Sequence, residues 1–399
     1  MRKIIRFFAR TIILMLIILL GMLLIFYLLA PVYEFSGPKP FHGDKLYNPY
    51  QGMDKSHWKR YNFQVQSKAW GGITDGRKNS NRLIDSVYKE LGFDYVATSD
   101  YQKINYHGSG KPDFIPTYEH GYNAFKTHQV CIDAQRVLWT DLILFQTLSM
   151  KQWIIDQLDK DCSIVVLAHP LLRHGYTVEE MKYLTHYEMM EVLNNLRIST
   201  DHWDTALSSG QLVWLMGNDD AHDVLHPNDV GRKFTMINSP TKNKAQILSS
   251  LHSGCCYGVD FYPTMDVPLK ERIERIKHTP ILQNAALSGD TLQVRVDVTA
   301  TEIHFIGQEG IVRQTSLDTN QASYIIKPED TYVRTVFRFN DGSSIYLNPV
   351  VRYAGDQPES LLSATVDQRA TLLLRIAYFL VALTLVYLYR RRKQKSAGN

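Results

Sequence analysis

Residues 11–30, running from Thr11 through Leu20-Gly21-Met22 to Ala30, carry no charged side chain. A helix over them, at ~1.5 Å per residue, is ~30 Å long and matches the hydrocarbon thickness of a bilayer. The stretch predicts a membrane-spanning helix and places the folded part of the chain outside it. A cleaved signal peptide is the alternative, but its apolar region would be shorter, and Leu28-Leu29-Ala30 followed by Pro31 is a poor cleavage site. An uncleaved anchor is the better reading.

A second apolar run, Thr371 to Tyr389, is broken by Arg375 alone and ends in Arg390-Arg391-Arg392-Lys393-Gln394-Lys395. The basic stop favours a second span over an amphipathic core helix, and Arg375, near one end, can reach the interface. Arg2, Lys3, Arg6 and Arg10 precede the first run. Basic residues on the outer flank of both spans place both termini in the cytoplasm and the intervening chain outside, which is periplasmic in a bacterium. The expected order is a cytoplasmic tail (1–10), a membrane helix (11–30), a linker (31–60), an α/β region (61–280), an antiparallel β-sandwich (281–353), a linker (354–370), a second membrane helix (371–389) and a basic tail (390–399).

The formal charge of +4 belongs to the anchors. Ten of the 44 basic residues lie in the terminal segments, which leaves 34 against 40 acidic ones outside them. A slightly acidic exterior has no electrostatic footprint for nucleic acid. The four cysteines, of which Cys255 and Cys256 are adjacent, show no Cys-x-x-Cys spacing and read as small buried side chains.

Between the spans, strand and helix patterns alternate. Tyr61 to Ser67 places Phe63 and Val65 on one face and Gln64 and Gln66 on the other. Leu83, Ile84, Val87, Tyr88 and Leu91 recur at helical spacing, and Phe93 to Asp100 reads as the next strand, a βαβ unit. Phe114 to Gly121 reads as a short strand, 134–158 as largely helical, and Cys162 to Pro170 as a strand buried on both faces. Residues 178–184, Trp203 to Gly210 and Lys244 to His252 read as helices, and Tyr187 to Leu193 and Gln211 to Met216 as strands. From Leu287 onward the chain becomes alternating strands separated by turns such as Asn340-Asp341-Gly342, an antiparallel β pattern.

Polar groups repeatedly follow these strands, as sites do in α/β barrels. In order they are Gln64-x-Gln66, Asp75-Gly76, Ser99-Asp100-Tyr101, Glu119, His128, Ala168-His169-Pro170 and Asp219-Asp220-Ala221-His222. Taken singly, each has a plain structural use: His128 as a satisfied histidine at the start of a helix-like run, His169 as a strand terminator, Asp219 and Asp220 as turn or cap residues.

Taken together, their order and spacing over residues 61–235 resemble the PHP family, named for polymerase and histidinol phosphatase. The downstream strands, with Tyr332-Val333-Arg334 and Asn348-Pro349, resemble an accessory domain carried by some exported members. The resemblance implies a distorted (β/α)7 barrel that binds up to three divalent metals and hydrolyses phosphate esters. It implies that Glu119 bridges a first and second metal, that His128 and His169 complete the second, that Asp220 belongs to the first, and that Asp75 and His222 belong to a third. Imidazole and carboxylate suit zinc, manganese or iron.

The sequence departs from that pattern where His-x-His becomes Gln64-x-Gln66 and where Asp-His becomes Asp100-Tyr101. Glutamine is a neutral, weak donor, so the first and third sites are depleted, while Glu119, His128 and His169 leave the second intact. Three protein ligands and an open position are the minimum for a catalytic zinc site. The sequence therefore predicts an integral membrane protein with fewer than three divalent ions, acting on a small phosphorylated substrate. The alternative is a catalytically silent relative that binds an envelope ligand.

Overall fold

The computed structural model describes residues 2–397 apart from 75, 77 and 262–266. Two helices, Arg2–Leu29 and Gln368–Ala397, are long and apolar enough to cross a membrane, and within their most apolar windows only 6% of residues are buried. They leave the folded region side by side. Just beyond the first helix, Tyr33–Phe35 pairs antiparallel with Ala364–Val366. The Val32 amide donates to Thr371 Oγ1 at 2.9 Å, and Arg375 Nη2 donates to the Leu29 carbonyl at 3.3 Å.

The region between them is a mixed α/β structure. A five-stranded sheet runs in the order Thr117–His120, Gln129–Ile132, Ile164–Leu167, Met189–Asn194, Trp214–Asn218, with the first pairings antiparallel and the last two parallel. Every residue of these strands is buried. Val165 and Leu167 share a core with Ile154, Ile155 and Leu158 of a helix, and Ile164 and Val166 share one with Tyr61, Ile237 and Cys256 of a second sheet, so the apolar run fills both faces, as its β-branched composition predicted.

An eleven-stranded sheet stands beside it. Its main path is Leu282–Ser288, Thr291–Ile306, Tyr332–Arg338, Ser344–Leu347, Cys256–Asp260, Lys233–Asn238, Trp58–Asn62, Tyr95–Val96. Strands from both sides of residue 280 thus share one sheet, joined where Cys256–Asp260 pairs with Ser344–Leu347.

The closed barrel expected from the sequence does not form among the described residues: the strands remain in open sheets. The reason is visible at the seam. Where Trp214–Asn218 would have to pair with a strand of the larger sheet, side chains take the backbone groups instead. Asn218 Oδ1 receives the Phe63 amide at 2.7 Å, and Thr235 Oγ1 both accepts from the Gly217 amide and donates to its carbonyl. Gly217 is required there, since a Cβ would lie 2.7 Å from the Phe234 carbonyl oxygen. Isolated bridges, Val65 to Ala221 and Tyr101 to Glu119, connect the strand ends around the polar centre.

Local expectations were met unevenly. The helix Lys244–His252 falls where the pattern placed it. The helix expected over 134–158 is confined to Leu148–Leu158, capped by Thr147. Ahead of it Asp141 captures the amides of Tyr122 and Leu142 and the side chain of Gln146, which holds the segment in an irregular loop. The strand expected from Phe93 shortens to Tyr95–Val96, and the helix-like run expected to start at His128 is instead the strand Gln129–Ile132.

Candidate metal centre

Glu119 lies on Thr117–His120, and the antiparallel register sets it opposite Val130, so His128 emerges just before the neighbouring strand begins. Ala168 donates to the His128 carbonyl at 3.1 Å, which brings the end of the next strand and His169 alongside. Adjacent strand ends thus collect three residues separated by up to fifty positions. One ligand atom from each of Glu119, His128 and His169 lies within 4.8 Å of the others, and all three side chains are buried.

The geometry centres on the carboxylate. Glu119 Oε1 is 2.5 Å from His128 Nδ1 and 3.4 Å from His169 Nε2, and Glu119 Oε2 accepts from Gln66 Nε2 at 2.6 Å. Burial by itself would raise the Glu119 pKa, but the two imidazoles hold it well below the usual carboxylate range. Burial pulls His128 down despite that carboxylate. At His169 burial is outweighed by the bond to Glu119 and the charges of Asp220 and Glu191, and its pKa is pushed up to about 9.

Gln66 gives a physical reason for reading a single ion. Its amide N–H occupies the carboxylate oxygen that would otherwise bridge to a neighbouring cation, and an N–H donor repels one. Gln64 is wholly buried, and neither of its amide atoms has a hydrogen-bond partner among the described residues.

His169 Nδ1, Gln66 Oε1 and Asp220 Oδ1 are likewise buried without a hydrogen-bond partner among the described residues, a pattern that suits groups arranged around an ion or water. Two imidazoles and one carboxylate are a donor set for zinc, manganese or iron. By these criteria the residues present fit one divalent ion.

The other expected ligands divide. Asp220, with φ of +51°, turns its Oδ2 to Asn194 Nδ2 at 3.4 Å. His222 Nδ1 lies 2.8 Å from the Asp220 backbone oxygen and 3.8 Å from its Oδ1, which places the pair beside the centre but outside the three-residue group. Asp75 lies outside the described residues. Tyr101 stands edge-on to His128 at 5.5 Å between ring centroids and 6.5 Å from His222. Asp100 instead accepts from Ser67 N and Oγ and from Asn105 Nδ2. Asp219 is structural too: it receives the amides of Gly231, Arg232 and Lys233 and the Tyr88 hydroxyl, anchoring the turn that presents Asp220.

Glu191 was missed by the sequence reading. Its Oε2 accepts the His169 amide at 2.8 Å and Asn194 Nδ2 at 2.9 Å, and burial pushes its pKa up to about 8. The available signal was one carboxylate inside the otherwise apolar stretch Met189-Met190-Glu191-Val192-Leu193.

No protein-family model matches the sequence, and no curated protein matches it. Among solved structures, a two-domain protein from Bacteroides vulgatus, described as containing a predicted PHP-like metal-dependent phosphoesterase, aligns with 83% of this chain and 99% of its own. The TM-score is 0.37 and the identity 10%, a likeness too slight to carry an argument about chemistry.

Proposed function

We propose that this chain is a membrane-anchored, PHP-like metal-dependent hydrolase of phosphate esters, working with one divalent ion at Glu119, His128 and His169. The observation that supports it is the convergence of those three buried ligand atoms within 4.8 Å, from three strand ends in the order the sequence motifs follow. When bound, the ion would supply Lewis acidity and a more acidic water.

The chain's own groups have distinct parts. Gln66 fixes the rotamer of Glu119 and keeps one carboxylate oxygen out of coordination. Glu191 fixes the backbone at His169, whose φ of +31° is left-handed and uncommon for a non-glycine residue. Asp220 and His222, beside the centre, are placed to orient a substrate or move a proton. The basic flanks of the two apolar helices support an extracytoplasmic position for the centre.

A second reading rests on a specific observation as well. With Gln66 on Glu119 where the family pattern wants a ligand, the centre suits a non-catalytic binding protein of the envelope. The test is elemental analysis of the full-length protein after loading with zinc, manganese or iron and exhaustive dialysis. About one retained ion per chain is expected, with loss in His169→Ala together with loss of phosphomonoester turnover. Failure to retain any of the three metals sinks the hydrolase reading. Gln64→His with Gln66→His should raise the content toward about two ions, because a ligand then replaces the N–H donor on Glu119.

A further inference from the structure

The loop before Leu148 joins the hairpin of Glu119 and His128 to the end of the first apolar helix. Tyr27, two residues before that helix ends, is buried; its hydroxyl accepts the amides of Leu144 at 2.8 Å and Phe145 at 3.0 Å, and its ring lies 4.8 Å from that of Phe145. Leu144 and Phe145 are nevertheless 55% and 53% exposed. A tyrosine at the end of a membrane helix marks headgroup depth, so these two apolar side chains stand at the same depth.

The loop that carries them is tied to the centre. Ile143 O accepts the Ala124 amide at 2.9 Å, Asp141 Oδ2 accepts the Tyr122 amide at 2.7 Å, and the Tyr122 hydroxyl donates to Trp139 O at 2.8 Å. Residues 121–127 are the connection between the strand bearing Glu119 and His128 itself. The hairpin that supplies two of the three ligand atoms therefore abuts, through one layer of loop, the end of a membrane helix.

The rim has the matching chemistry. Lys126 Nζ lies 5.3 Å from the Tyr101 ring, which stands against His128, and Lys103 Nζ lies 6.0 Å from Trp70. Trp70 and Trp139 meet edge to face at 6.1 Å, both exposed. Asp141, the carboxylate between the loops, is buried and bonded inward, so it does not oppose the lysines. Aromatic rings beside lysines suit an anionic lipid surface.

We propose that the loops at 121–127 and 139–146 form a bilayer-facing mouth through which the site takes the phosphate of a membrane lipid. This deepens the hydrolase reading and depends on it for chemistry, but not for the membrane contact. The test uses full-length protein in phosphatidylcholine nanodiscs, with a fluorophore on Phe145→Cys and nitroxide quenchers on the lipid chains near the headgroup. The unsubstituted protein serves as the labelling blank, and Ile325→Cys, exposed on the strand Val312–Ile325, as the reference.

Phe145→Cys should lose most of its signal and Ile325→Cys little; equal quenching overturns the proposal. A fluorophore on Phe125→Cys should then shift when phosphatidic acid is added to the nanodiscs, and not with glycerol phosphate in solution at the same concentration. Lys103→Glu with Lys126→Glu should weaken that response at least about tenfold, since each basic residue near an anionic surface contributes about a factor of five. An equal response to the soluble phosphate, or none to the lipid, overturns the lipid assignment. None of these arms requires a retained metal, so failure of the hydrolase reading would show separately in the elemental analysis.

Discussion

Lowering the pH from 9 to 7 should weaken divalent-metal binding at Glu119, His128 and His169 by about 50-fold, an expectation that follows from which group holds the proton. His169 is pushed from 6.5 up to about 9, because its bond to Glu119 and the nearby carboxylates outweigh the effect of burial. A raised value means that the metal-free protein keeps this proton below about pH 9, and an incoming ion must displace it. Each pH unit below that point costs about 1.4 kcal/mol, or tenfold in affinity. His128 is held down by burial and Glu119 is held ionised, so neither adds to the slope, whereas Glu191, pushed up to about 8, ionises within the interval and adds to the change in the same direction, since its charge favours a dication over a proton.

A histidine with its ordinary pKa would give only about a 1.3-fold change over the same interval. The assay is competition with a chromogenic chelator between pH 7 and 9, corrected for the chelator's own protonation. A change below about threefold at a site that does bind metal would refute the reasoning, because the proton would not be where the geometry places it. The same proton stabilises the metal-free fold: that contribution is complete below the unfolded value of 6.5 and is lost as pH rises through about 9.

Two further outcomes test the framework around the site. Gly121 has φ of +124°, and a Cβ there would lie 2.5 Å from His128 Cδ2, so Gly121→Ala should displace the imidazole. Overpacking of this kind costs about 1–3 kcal/mol, and metal titration should show at least about tenfold weaker binding while circular dichroism shows a folded protein. Arg334 grips Asp204 in a buried bidentate pair, at 2.7 and 2.6 Å, that ties the helix Thr200–Ser208 to the strand Tyr332–Arg338. Asp204→Ala should cost about 3–5 kcal/mol in urea unfolding by stranding the guanidinium, and pairing it with Arg334→Met should recover most of the loss.

What the sequence determined is local and compositional. The two apolar runs, the helical spacing of Leu83 to Leu91 and the buried strand around Val165 could be read because hydrophobic periodicity acts over a few residues. Glu119, His128 and His169 could be singled out as a group through the resemblance of the motif order to a known family, and the structure brings the three together. The length of the irregular loop before Leu148 could not, because it depends on Asp141 gathering groups from Tyr122 to Gln146. Nor could the open sheets, since side chains of Asn218 and Thr235 take backbone groups that periodicity would have assigned to a closing strand.

Tertiary structure decided three matters that no spacing encodes. It placed the Gln66 amide on Glu119 Oε2, the oxygen turned away from His128. It separated the neighbouring Asp219 and Asp220 into an anchor for backbone amides and a group beside the centre. It also set the Glu119–His128 hairpin against the end of the first apolar helix through Leu144 and Phe145. The first and the last depend on groups more than fifty residues apart meeting at hydrogen-bond distance, and the second on the left-handed turn at Asp220. Sequence order can supply the chemistry of those groups, but only the packed chain fixes which atom of one faces which atom of another.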